Sequence, residues 1–144
     1  MSPVLRSHFS DYAAFHATRG NQACHYVGIP LIVLTLLAAL AKVVILPAAG
    51  LTLTAAELLL ALATLYYLTL DRPLALMMLA VSLAFAAIGR VIPLWPAVAL
   101  FVVGWAFQFV GHHVYEKKSP AFYKNLTHLL VGPLWILAKA TGRA

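Results

Sequence analysis

Six histidines, set against four acidic residues and a single cysteine, are the side chains whose type and spacing suggest chemistry. His8, His16 and His25 lie early in the chain, and His112, His113 and His128 lie late. Gln108, His112 and Glu116 are four apart, as are Tyr12 and His16, and Asn21 and His25. On a helix that spacing lines one face in successive turns. Three such ladders turned inward would gather imidazoles, a carboxylate and amides. Neutral imidazole is a good ligand for iron, zinc or copper, and a carboxylate or amide can orient it through its second nitrogen. His8 lies away from the ladders, and His113 faces about 100° from His112 on a helix, so both read as interfacial side chains.

Other chemistries lack their residues. Cys24 alone excludes an intrachain disulfide framework and a cysteine-based zinc site, and it reads as a small residue filling a helix contact. A Gly-rich phosphate loop, a nucleophile elbow and a CxxC pair are all missing, which removes dinucleotide, hydrolase and thiol-redox readings.

The elements that must position the histidines are apolar. The chain of 144 residues is 63% hydrophobic with mean hydropathy +0.91, far above the roughly 45–50% of soluble domains. Four stretches, Val27–Leu46, Leu51–Leu70, Pro73–Gly89 and Val91–Val110, approach the ~20 residues that cross a bilayer core, the third being shortest. The breakers Pro47-Ala48-Ala49-Gly50, Asp71-Arg72-Pro73 and Gly89-Arg90 separate them. Connections this short make neighbours antiparallel, so the expected fold is all-α: one integral membrane domain over 1–144, an up-down four-helix bundle. Amphipathic interfacial helices are expected at both ends, over 4–18 and 121–140, the second kinked or broken at Gly132-Pro133. Residues 1–20 lack the continuous apolar core of a cleavable signal peptide. Lys42 and Glu57, near span ends on one side, read as snorkelling or touching each other.

A pI near 9.8 could suggest nucleic acid, but there is no basic run with interleaved aromatics, so the excess is read as topology signal and lipid contact. With four crossings, Arg6, Arg19, Arg72, Lys117, Lys118, Lys124, Lys139 and Arg143 share a face, leaving Lys42 and Arg90 opposite. Both termini are therefore expected in the cytoplasm, with the chain in a bacterial inner membrane. An even number of crossings between His25 and His112 also returns the chain to one surface, where the two histidine groups can meet.

At these residues the chain resembles a known family. Tyr12-x3-His16-x4-Asn21-x3-His25-x2-Gly28-x-Pro30, then Trp105-x2-Gln108-Phe109-x-Gly111-His112-x3-Glu116-x3-Pro120-Ala121 and Gly132-Pro133, look like the small multi-span 2-hydroxy-fatty-acid dioxygenases. These were first described for fungal phytosphingosine breakdown and have many bacterial relatives. The resemblance implies Fe(II)-dependent α-oxidation, in which a 2-hydroxy acid and O2 give the acid one carbon shorter. A 2-hydroxy carboxylate chelates through two oxygens and dioxygen needs a further position, so three protein ligands complete six-coordinate iron. His16, His25 and His112 are the expected ligands, with His128 a candidate fourth. Glu116, Gln108 and Asn21 are expected behind them, and Tyr12 against substrate or an oxygen intermediate. The acyl tail would lie between helices or in lipid, its carboxylate drawn toward Lys117 and Lys118. Two alternatives stand beside this: a small haem electron-transfer protein with His25 and His112 as axial ligands, and a non-catalytic membrane scaffold.

Overall fold

The structure is a computed structural model that describes residues 1–47 and 52–144. Its elements in chain order are α1 (Pro3–Ala14), α2 (Arg19–Leu40), β1 (Val44–Leu46), β2 (Leu53–Thr54), α3 (Ala55–Leu70), α4 (Arg72–Val91), α5 (Leu94–Val110) and α6 (His128–Ala140). A π-helical turn, Gly111–Glu116, continues α5, and a 3-10 turn covers Ala121–Tyr123. The protein is thus mainly helical, with one short antiparallel β1–β2 pair among the described residues.

Among the described residues, three helical stretches are long and apolar enough to cross a membrane: Arg19–Leu40, Arg72–Val91 and Leu94–Glu116. The third apolar stretch, expected to be shortest, is the 20-residue α4. The short one is α3, whose 16 residues rise about 24 Å at 1.5 Å each. Its helix starts late because Leu53–Thr54 pairs with Val44–Leu46 and Thr54 then caps α3 in a capping box with Glu57. The first stretch is shifted the other way: α2 begins at Arg19 and ends at Leu40, so Val44–Leu46 is extended. Most of the expected breaker between them, Ala48–Gly50, and Leu51 lie outside the described residues.

The described chain divides into two compact units, residues 1–30 with 103–144, and residues 31–102. In the second unit α3 packs on α4. The buried face of α4 repeats Leu74, Ala75, Met78, Ser82, Ala86 and Gly89 at helical spacing. Leu37, Ala56, Leu60 and Ala86 form a core cluster here. At one end of this unit Lys42 Nζ donates to the Arg90 carbonyl at 2.8 Å, and the Arg90 guanidinium pairs with Glu57 at 2.5 Å. Lys42 and Glu57 are therefore joined through Arg90 rather than by direct contact.

In the first unit α1 packs on α6. Leu5, Phe9 and Tyr12 are buried on α1, and Val131, Leu134, Trp135 and Ala138 on α6. At Gly132-Pro133, where a kink or break was expected, the helix is not broken, for α6 runs through Pro133 to Ala140.

Candidate metal centre

The first unit brings together three of the expected ligands. His16 follows the end of α1, His25 lies on α2, and His112 lies in the π-helical turn, all buried. Each offers a ring nitrogen, and these atoms lie within 4.8 Å of one another. The ring centroids are 4.3 Å apart for His16 and His25, and 4.8 Å from each of these to His112.

The hydrogen bonds decide what those nitrogens can do. His16 Nδ1 lies 2.6 Å from the Tyr12 carbonyl, and His25 Nδ1 lies 2.9 Å from the Asn21 carbonyl. A carbonyl only accepts, so in both rings Nδ1 must carry the proton and Nε2 the lone pair. The two Nε2 atoms nevertheless face each other at 3.0 Å. Two lone pairs at that distance repel unless a cation lies with them. A shared proton is a poor candidate, because burial first, and then neighbouring His25, lower the pKa of His16 from its ordinary value to about 3. The third member adds to the deficit: His112 Nδ1 is buried with no hydrogen-bond partner among the described residues. Neutral imidazoles, two of them fixed through Nδ1 by backbone oxygens, suit a borderline divalent metal such as iron or zinc.

The Tyr12–His16 spacing works differently from the helical ladder expected of it. α1 ends at Ala14, with Phe15 as its C-cap, so His16 is not on the helix. The Tyr12 carbonyl, in the last turn of α1, accepts the Phe15 N–H at 3.1 Å and, on its second lone pair, the His16 ring N–H. The Tyr12 ring also stacks on His16, with centroids 3.9 Å apart and 11° between planes. Burial raises the pKa of the Tyr12 phenol, so it stays protonated.

Glu116 lies behind the histidines as a tie between segments. Oε1 accepts from the Ala17 N–H at 3.1 Å. Oε2 accepts from the Thr18 N–H at 3.0 Å, the Thr18 hydroxyl at 2.9 Å and Asn21 Nδ2 at 3.1 Å. The carboxylate thus fixes the loop carrying His16 to the turn carrying His112. Asn21 also donates to the Phe15 carbonyl at 3.0 Å. Lys118 reaches the Ala14 carbonyl at 3.3 Å and lies 3.9 Å from Glu116, so it is engaged with the same loop.

Gln108 is buried on α5, its Nε2 without a partner among the described residues. It lies against Gly28, where a Cβ would overlap its amide nitrogen and stand 2.8 Å from the Gly104 carbonyl. His128 is buried but is not one of the three clustered histidines. Its Nε2 pairs with Asp11 at 2.7 Å, and its ring lies 5.6 Å from that of Tyr12. Asp11, Thr18 and Trp135, whose ring centroid is 6.2 Å from that of His16, belong to this neighbourhood and carry no spacing signal in the sequence. The His25 and His112 rings, edge to face at 4.8 Å, leave no gap for a porphyrin, which removes the support for the haem alternative.

Residues 3–144 match the family described as 2-hydroxy-palmitic acid dioxygenase Mpo1-like. The chain belongs to this family. It is 31% identical over 134 residues to the 2-hydroxy-palmitic acid dioxygenase MPO1 of Saccharomyces cerevisiae, covering 92% of this chain and 77% of the yeast protein. No solved structure matches. The Mpo1-like assignment and the three-histidine cluster together support a dioxygenase with a place for a metal.

Proposed function

We propose that this Mpo1-like chain is a membrane-embedded Fe(II)-dependent dioxygenase that shortens a 2-hydroxy fatty acid by one carbon. The observation that carries the metal is the pair of Nε2 lone pairs of His16 and His25 facing each other at 3.0 Å. The substrate class follows from the family and from the yeast relative's name. A ferrous ion held by His16, His25 and His112 would supply the redox centre at which a chelating 2-hydroxy carboxylate and dioxygen are brought together. Oxidising the acid to the next shorter acid and CO2 releases four electrons, and one O2 accepts four in forming water, so no further reductant is required.

The chain's own groups do the rest. Backbone carbonyls of Tyr12 and Asn21 hold two imidazoles in the ligand tautomer. Glu116 and Asn21 hold the His16 loop against the π-helical turn. The protonated Tyr12 and buried Trp135 wall off one side of His16 and exclude water there. Gln108 is the further polar group of the site, with an unused amide nitrogen.

The test is metal content and turnover together. Protein purified in detergent should hold one iron. His16→Ala, His25→Ala and His112→Ala should each lose most of it, while His8→Ala and His113→Ala keep it. Fe(II)-loaded protein should convert a long-chain 2-hydroxy acid to the next shorter acid in air and leave it untouched without oxygen. The unhydroxylated acid, lacking one chelating oxygen, should react poorly. Full iron retention in the three ligand variants would overturn the site, and equal turnover of both acids would overturn the chelation.

A further inference from the structure

The first unit carries an open groove away from the histidines, of about 450 Å³, lined by Tyr26 of α2 and by Ile136, Lys139 and Ala140 of α6. That volume falls in the range of small-ligand sites, roughly 300–1,000 Å³. Its floor is aromatic and aliphatic, and Lys139 is the one charged residue among the four that line it. Trp135 ties the groove to the metal centre. The Tyr26 and Trp135 rings lie at 6.4 Å and 21°, and Lys139 Nζ stands 4.6 Å from the Trp135 ring centroid. The Trp135 ring also lies 5.2 Å from Tyr12 and 6.2 Å from His16. One indole therefore neighbours residues of both the groove and the histidine cluster.

We propose that this groove is a docking site for a long-chain fatty-acid anion, with the carboxylate on Lys139 and the first methylenes on Tyr26, Ile136 and Ala140. An apolar trough with a single cation matches an amphiphile bearing a single negative charge. Lys118, which the sequence made a candidate for that carboxylate, is already engaged with the Ala14 carbonyl and Glu116. A doubly charged phosphate headgroup would call for more than one cation. The docked acid stands one ring from His16, so the groove is where the acid arrives from the membrane before its head group reaches the metal. The choice of acid rests on the function proposed above, but docking needs neither metal nor turnover and can fail alone.

The test uses metal-free full-length protein in nanodiscs of neutral lipid, with palmitate brominated along its chain as quencher of tryptophan fluorescence. Quenching should be saturable and reversed by unlabelled palmitate. Lys139→Gln and Ala140→Phe, which removes the cation or fills the trough, should each weaken apparent affinity at least tenfold, and Lys139→Arg should restore it to within a few-fold. Iron content after loading should stay at the wild-type level in all three, showing that the fold and the histidine cluster persist. Where turnover is measurable, Lys139→Gln should raise KM with kcat little changed. Non-saturable quenching, or equal affinity in wild type, Lys139→Gln and Ala140→Phe, means simple partition into the bilayer and would overturn the docking site, whatever the activity of the iron-loaded enzyme.

Discussion

The four donors on Glu116, from Ala17, Thr18 and Asn21, make that carboxylate the link between the two sequence-distant halves of the centre. Glu116→Gln keeps the size but replaces one accepting oxygen by an amide that faces donors. The loop should loosen, at a cost of about 1–3 kcal/mol, and His16 should lose its fixed place opposite His25. Iron affinity, measured by chelator competition, is expected to fall roughly 10–100-fold, as when a group that orients metal ligands is changed. An unchanged affinity would mean that the loop holds without Glu116. His128→Ala provides the contrast. Its Nε2 belongs to Asp11 and it stands outside the clustered three, so iron should stay near the wild-type level. Loss of iron there would restore it as a fourth ligand. His16, His25 and His112 were legible in the sequence because fourfold spacing and the return of the chain to one surface both marked them. The Asp11–His128 pair was not legible. Its members are separated by 117 positions and meet only through the packing of α1 on α6.

At the scale of elements, local spacing pointed to residues that the fold does cluster, through a partly wrong geometry. The Tyr12–His16 pair was expected on one helix face, yet α1 stops at Ala14 and the contact is made by a last-turn carbonyl that also takes the Phe15 N–H. The Gln108–His112–Glu116 ladder was expected on one α-helix, but Gly111–Glu116 is a π-helical turn closed by Lys117 at φ 55°. Such turns are frequent at functional sites, and they carry no composition signature that periodicity could detect. The short α3 escaped for a related reason: its apolar run continues into Leu53, which the backbone spends on a strand pair. Gly28 was legible only as part of the motif, and the structure supplies its reason. The ideal Cβ there would lie 2.8 Å from the Gly104 carbonyl and 2.9 Å from Phe107 Cβ, besides overlapping Gln108. Backbone on the facing helix cannot swing aside as a flexible side chain can. Gly28→Ala should therefore cost about 1–3 kcal/mol through overpacking, seen as a lowered thermal midpoint in detergent. It should also weaken iron binding by displacing Gln108. The double variant Gly28→Ala, Gln108→Ala should recover only part of the stability, because the Gly104 carbonyl remains.

For the whole molecule, the three-histidine cluster constrains the topology more tightly than hydropathy does. His25 lies near the start of α2 and His112 just beyond α5, and their rings are 4.8 Å apart. The chain between them must therefore cross the membrane an even number of times. Three long apolar helices, Arg19–Leu40, Arg72–Val91 and Leu94–Glu116, give an odd number, so α3 must cross as well if each of them does. Its rise of about 24 Å is short of the ~30 Å hydrocarbon core. A mismatch of that size costs only fractions of a kcal/mol per Å and is relieved by thinning of the bilayer or snorkelling of flanking residues. The flank is suited to this: Val43, Val44, Ile45 and Leu46 are apolar and exposed, while Lys42 and Arg90 place charge at the same end of their unit. With four crossings residues 1 and 144 would share one side, and the basic residues counted on that side would make it the cytoplasm. Reporter fusions at the two ends should give the same, cytoplasmic compartment, and a reporter in the 42–54 connection should give the opposite one. Fusions in opposite compartments would mean an odd number of crossings. His25 and His112 could then not share a site, and the three-histidine centre would fall together with the topology.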